Sequence, residues 1–389
     1  MAVEWERGDR PIALGVAFGF ALSLGMAVVA VPLVALGSGY DAAAVGFLAA
    51  TTALSQLSTR LTLPWLLGRF HDRALVGLAA ALMLGGFVTL LVSTALPAFV
   101  LAQVAQGAAR AIFWTSSQTH AIRSGGSQVR RLVDLNLAGN AGTLTGPALA
   151  GLLATFGLPI ALLGAAIPAG VAALASPLMA AYPPFDRRRS AGALRVLRRD
   201  GVDVACWANF VAGAWWSMLG SYVPVILVGA GFGSVLIGWL VTISEGSGAV
   251  MLLVIRRLSP KGISGLVRGA ALAEMAALAG IALAPHLLIA YGLLLVAGGS
   301  SAGVVTTLAP ALVTLAAGEH EHGDALALSG TFRSIAQLSA PAAVGGLLSL
   351  VALPVALAGV AAVAALPGLL LGRFGRGPAG SGPAVAAPG

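Results

Sequence analysis

Charge is what this chain has least of. Of its 389 residues 9% are Asp, Glu, Lys or Arg, where soluble globular domains carry roughly 25%. Lysine occurs once, at Lys261, and cysteine once, at Cys206. A lone cysteine excludes an internal disulfide and any cysteine cluster around a metal, which argues against redox chemistry. No Gly-x-x-x-x-Gly-Lys-Ser/Thr loop is present, and no polar segment is long enough to fold as a nucleotide-hydrolysing domain, so ATP is not expected to drive this chain directly. No cofactor is expected. What is abundant is apolar: 58% of the residues are hydrophobic. The net charge of +8 is almost wholly arginine, gathered in short segments between apolar runs. That is a pattern of membrane topology and not of nucleic-acid binding.

Dividing the chain at charged or Gly/Pro-rich punctuation gives twelve apolar segments, centred near residues 24, 55, 84, 109, 144, 169, 216, 244, 274, 301, 337 and 361. Each is about 20 residues or longer, enough to cross a bilayer as a helix. Within hydrocarbon every backbone amide must be bonded inside its own segment or in a closed barrel. A barrel requires alternating polarity, which is absent, so the segments are read as helices. The first apolar run, ending near Leu36, exceeds the roughly 7–15 apolar residues of a signal peptide and is read as span one. The stretch 375–389 is Gly, Pro, Ala and Ser with one Arg and is expected to be a disordered tail.

Arginine also orients the spans. The N-terminus (Arg7, Arg10), the 2–3 loop (Arg69, Arg73), the 4–5 loop (Arg123, Arg130, Arg131), the central loop (Arg187 to Arg199), the 8–9 loop (Arg256, Arg257, Lys261, Arg268) and the tail (Arg373, Arg376) are basic. The alternate loops, near Gly39, Leu96, Gly157, Gly231, Pro285 and Ala352, contain neither Lys nor Arg. By the positive-inside rule both termini and the central loop are expected on the cytoplasmic side of an inner or plasma membrane. The 10–11 loop near Glu319 is acidic, which the rule tolerates. Its Glu319-His320-Glu321-His322 cluster is read as a solvated loop and not as a metal site.

The halves repeat. Leu144-Thr-Gly-Pro147-Ala-Leu-Ala-Gly151 in span five reads like Leu338-Ser-Ala-Pro341-Ala-Ala-Val-Gly345 in span eleven. The likeness continues, with one residue inserted, from Gly157-Leu-Pro into Ala352-Leu-Pro. A duplicated six-helix unit explains it. With this layout the sequence resembles the major facilitator superfamily, in its drug and metabolite efflux branch. Gly68-Arg69-Phe70-His71-Asp72-Arg73 is similar to that family's 2–3 loop motif, Asp-Arg-x-Gly-Arg-Arg, with Gly68, His71 and Asp72 departing from it. Gln103-x-x-Gln106-Gly107 resembles its span-four Arg-x-x-x-Gly motif without the Arg. Gly142-x-x-x-Gly146-Pro147-x-x-x-Gly151 resembles the motif of its exporting antiporters. Physically, such glycines let helices approach closely and such a proline removes one helical hydrogen bond, which suits a helix that bends during gating. The resemblance implies an all-α fold of two pseudo-symmetric six-helix bundles: 1–181, a cytoplasmic basic linker 182–202, and 203–374. It also implies a working monomer, with helices 1, 4, 7 and 10 around a central cavity.

Five ionisable residues fall well inside spans: Arg60, Arg110, Glu245, Glu274 and Arg333. At mid-bilayer each costs about 2.5–3.5 kcal/mol on insertion scales, so they are expected to face the protein interior or one another. Gln103, Gln106, Arg110, Trp114 and Ser117 share a sector about 80° wide on a helix of about 100° per residue. On the family's layout that stripe would face substrate. Read without it, Arg110 bonds carbonyls of a neighbouring helix. Arg333 lies on a similar stripe with Gln337, and Arg60 suits a gate brace as well as a substrate contact. Asn209 and Trp216 share a face of span seven, whereas Trp207 and Tyr222, near its ends, suit interfacial anchoring. Glu245 lies in Ser244-Glu-Gly-Ser-Gly248, a polar interruption of an apolar run. A carboxyl group that alternates between dry and wet surroundings can load and release a proton. Glu245 is therefore a candidate for proton coupling or for an ion pair with Arg110 or Arg333. Glu274 is read as structural.

The leading expectation is a secondary carrier of a small organic solute, exporting it in exchange for protons. An uptake carrier for an anionic metabolite is the alternative, because three buried arginines outnumber two buried glutamates. Two other classes are a lipid-acting membrane enzyme, for which His120 and His286 have no Ser/Asp constellation nearby in sequence, and a receptor or scaffold, which has no need of mid-membrane charge. The expected partners are a small-molecule substrate, protons and the bilayer.

Overall fold

The computed structural model describes residues 2–123, 128–184, 201–255, 262–284, 287–316 and 322–374. Among them are thirteen α-helices and no strand. The first half comprises α1 (Ala2–Gly37), α2 (Ala42–Leu67), α3 (Asp72–Val92), α4 (Leu96–Arg123), α5 (Gln128–Leu153) and α6 (Leu158–Ala175). The second comprises α7 (Val202–Leu219), α8 (Tyr222–Gly229), α9 (Ser234–Ile255), α10 (Ile263–Leu283), α11 (Leu288–Ala316), α12 (His322–Leu347) and α13 (Leu353–Phe374). All twelve predicted centres fall inside helices. Span seven is a broken rod: α7 and α8 meet at a 44° bend around Gly220 and Ser221. Most of the linker, the tail, and the centres of the 4–5, 8–9 and 10–11 loops lie outside the described residues.

Nine described helices are long and apolar enough to cross a membrane, and the bent pair makes a tenth. The two helices outside that set are α5 and α12, the repeated pair. Both are richer in polar and small residues than most of the other helices, and small residues let helices pack closely. Exposed apolar side chains instead cover outer helices, for example Val171 and Leu174 of α6, and Val363 and Leu370 of α13. Apolar residues pointing outward are what a hydrocarbon solvent selects.

The repeat reappears as geometry. Helix α5 packs on α1, the first helix of its own half, and on α9, the second span of the other half; α12 packs correspondingly on α7 and α2. Small residues make each contact. A Cβ placed at Gly142 would lie 2.7 Å from Leu22 N, and one at Gly146 would lie 2.6 Å from Met26 N, so α5 lies directly on the α1 backbone. The repeat-related prolines occupy matching positions. The Pro147 carbonyl faces Gly238 of α9, and the Pro341 carbonyl faces Gly46 of α2, where a Cβ would lie 2.9 Å from it. Proline cannot donate to the carbonyl four residues earlier. For Pro341 that is Gln337, whose carbonyl instead accepts from Ser217 Oγ of α7 at 3.1 Å.

We term the face carrying the start of α1 and the linker the linker face, and the opposite one the far face. Both seams between the halves have their closest backbone approaches toward the far face. Gly46 lies in the first turns of α2 and Gly345 in the last turns of α12, with a Cβ at Gly345 3.3 Å from Ala43 O. On the other seam Gly151 meets Ser234 and Gly238 at the start of α9. Two cross-seam hydrogen bonds occur among the described residues: Ala148 N to Thr242 Oγ1 at 3.1 Å, and Arg60 Nη1 to Ser334 Oγ at 2.7 Å nearer mid-span.

Candidate functional site

Between the halves lies a cavity of about 100 Å³ walled by α5, α7, α9 and α11. Helix α5 supplies Asn140 and Thr143, α9 supplies Ser244 and Glu245, and α11 supplies Thr306. The indoles of Trp215 and Trp216 form the α7 wall. Glycines make room for this chemistry. A Cβ at Gly248 would lie 2.9 Å from Gly299 O, and one at Gly303 would lie 2.7 Å from Gly248 Cα, so α9 and α11 touch backbone to backbone. The Ser244-to-Gly248 run, expected as a polar interruption of an apolar helix, lies within continuous helix. Its glycines serve packing.

Two polar groups at the cavity are unmatched. Ser244 Oγ is fully buried without a hydrogen-bond partner among the described residues, and Trp216 Nε1 is likewise unpartnered. Glu245 has no ion-pair partner among the described residues. The expected pairing with Arg110 or Arg333 is thus not made here. Arg333 instead lies within electrostatic reach of Glu274 and Arg60. Glu274, read from the sequence as structural, is fully buried on α10 with both carboxylate oxygens unbonded. Nothing in local sequence signals that these two groups come within electrostatic reach of each other.

A profile of the major facilitator superfamily matches residues 13–341. The chain belongs to that superfamily. As such it is a multi-pass membrane transporter of a small solute and not an enzyme. The carrier is similar in fold to the crystal structure of the nucleoside transporter NupG, with a TM-score of 0.80 at 12% identity over 94% of this chain and 99% of that one. It is also similar to a POT family transporter in complex with 5-aminolevulinic acid, with a TM-score of 0.74 at 12% identity over 94% and 95% of the two chains. At these identities the likeness concerns fold alone. The carrier has no sequence match among curated proteins.

Of the residues expected to meet substrate, Trp216 lies on this cavity, as does the coupling candidate Glu245. The α4 stripe lies elsewhere. Gln103 accepts from Thr52 Oγ1 of α2 at 2.6 Å. Gln106 is fully buried with its amide unbonded, and a Cβ at Gly86 of α3 would touch it at 3.0 Å. Trp114 packs on Gly139 of α5, and Arg110 Nε is buried without a partner. Gly107 of the same motif lets α4 reach α2, where a Cβ would lie 3.1 Å from Gln56 N. Asn209 donates to Ser329 Oγ at 2.6 Å, a tie between α7 and α12. Trp207 and Tyr222 are not interfacial anchors: both are buried, Trp207 donating to Ala364 O at 2.9 Å and Tyr222 to Pro341 O at 3.2 Å.

The 2–3 loop motif works at the linker face of the carrier. Gly68 caps α2, and the Arg69 guanidinium stands 5.6 Å over the Trp65 ring. Asp72, a departure from the family pattern, is fully buried and accepts from Arg123 at the end of α4 at 3.1 Å. Arg73 donates to the carbonyls of Pro177 and Met179 after α6. Beside them, Asp9 of α1 meets His120 of α4 at 3.0 Å and accepts from Ala180 N at 2.7 Å. His120, which has no acidic neighbour in sequence, finds one only in space. The signal that could have found it is the acid at the start of an apolar span facing a histidine at the end of another.

Proposed function

We propose that this carrier exports a small organic solute by alternating access, exchanging it for protons at Glu245. The observation that carries the reading is the position of that carboxyl group, near the middle of α9, on a cavity bounded by both halves, with no ion-pair partner among the described residues. A charge so placed is costly unless it binds something. Rocking the halves about the two seams changes its access to water, and with it its proton occupancy. The tight far-face ends of both seams support a resting state open toward the linker face. The basic loops on that face support cytoplasmic termini in an inner or plasma membrane. The unit is a monomer of two bundles, 1–181 and 203–374, joined by the linker 182–202. Export then begins with solute entering from the cytoplasm. Uptake of an anionic metabolite would call on Arg60, Arg110 or Arg333, and none of these is among the described residues lining the cavity.

The test is reconstitution of the purified chain in liposomes with an imposed pH gradient and a panel of organic solutes. Solute-dependent proton movement is expected with the wild type and is abolished in Glu245→Gln. Proton movement of equal size in that variant would remove Glu245 from the coupling step.

A further inference from the structure

We propose that the cavity selects a compact organic cation, and that this cation and the proton compete for the one carboxylate of Glu245. The inference rests on the reading of Glu245 given above and adds the substrate class. Among the described residues Glu245 is the sole ionisable side chain on the cavity wall. None of the three guanidiniums within the spans, Arg60, Arg110 and Arg333, is among the described residues lining this cavity. An anionic solute would meet an uncompensated carboxylate in a medium that screens poorly, whereas a cation would neutralise it.

Two further features suit the same ligand. The Trp216 indole forms part of the wall, and aromatic faces hold ammonium groups through the ring quadrupole. Asn140, Thr143 and Thr306, with the unpartnered Ser244 hydroxyl, supply oxygen acceptors for N–H donors. The cavity of about 100 Å³ is well below the roughly 300–1,000 Å³ of pockets that enclose drug-sized ligands, so the cation is small. It would touch α5 of one half and α7, α9 and α11 of the other, so its presence bears on both seams. When the cation leaves, a proton takes its place on the carboxylate. One positive charge crosses each way, and the exchange is electroneutral.

The experiment compares ligands of like shape and different charge. Binding of phenethylamine, 2-phenylethanol and phenylacetate to the purified full-length chain is followed by calorimetry in buffers of different ionisation enthalpy, and the same three are assayed for pH-gradient-driven movement in liposomes. Expected are binding of the amine at least tenfold tighter than of the alcohol, no measurable binding of the carboxylate, and release of about one proton per amine bound below the titration of the site. Glu245→Gln should lose that preference at least tenfold. Glu245→Asp should keep it, which separates lost charge from lost fold. Equal binding of amine and alcohol, tighter binding of phenylacetate, or an amine preference unchanged in Glu245→Gln would overturn the cation assignment. If the alcohol or the carboxylate moves with the gradient and the amine does not, the class is wrong and the carrier reading stands. If none of the three classes moves, that reading falls as well.

Discussion

The two seams between the halves share one construction and hold different chemistry. At α2/α12 and at α5/α9 a proline carbonyl from the repeated motif lies against a glycine near the start of the partner helix, Pro341 on Gly46 and Pro147 on Gly238. Beyond that shared hinge they diverge. The α2/α12 seam carries charge within reach of other charge: Arg60 donates to Ser334, and Arg333 lies within electrostatic reach of Arg60 and Glu274. The α5/α9 seam opens instead into a cavity with a lone carboxyl group and unmatched polar atoms. Duplication thus supplied this proline–glycine contact twice, and the side chains beside it differ between the two seams. A charge held among other charges is costly to move, while one on a cavity is available to a proton or solute.

The strongest way to break this comparison is to fill the shared hinge. Gly46→Leu and Gly238→Leu each put a side chain where a Cβ already meets backbone, at 2.9 Å from Pro341 O and 3.2 Å from Ala148 Cα respectively. Each should keep the far face from closing and lower transport at least tenfold, read as raised labelling of far-face cysteines introduced after Cys206 is replaced. Loss from one substitution alone would show the seams to be inequivalent as hinges. Charge is probed next. Glu274→Gln should destabilise the protein by about 1–3 kcal/mol, because it removes the carboxylate within electrostatic reach of Arg333 and leaves Arg60 as a like charge nearby. A double-mutant cycle of Glu274→Gln with Arg333→Gln should give a coupling of about 1 kcal/mol, and one of Glu245→Gln with Arg333→Gln a coupling near zero, measured by reversible unfolding in micelles. Smaller still is Ser217→Ala, which frees the Gln337 carbonyl that Pro341 cannot satisfy and should cost about 0.6–1.7 kcal/mol. Thr242→Val, which removes the acceptor of Ala148 N–H on the other seam, should cost about 0.6 kcal/mol in the same assay.

Much of the architecture was legible in the residues. Twelve apolar runs, the loop arginines and the Pro147/Pro341 repeat led to the fold and to the family, and Glu245 stood out as an acid in the middle of a span. Its partners did not. The helix 4 stripe looked like a cavity wall because five polar residues share a face, yet Gln103 is taken up by Thr52 and Gln106 lies against α3. Trp207 and Tyr222 looked like interface anchors from their place near span ends, but neighbouring helices bury them. The Asp9–His120 contact joins residues 111 positions apart, and no periodicity connects them.

The order of residues alone determined that this chain lies in a bilayer as helices and repeats itself once, because transfer into hydrocarbon and backbone satisfaction are decided segment by segment. Tertiary structure alone decided that Glu245 lies on a cavity while Glu274 lies within electrostatic reach of Arg333. Which groups meet depends on how each rod is rotated and where it crosses its neighbours, and that is set by the summed packing of small residues along every seam at once.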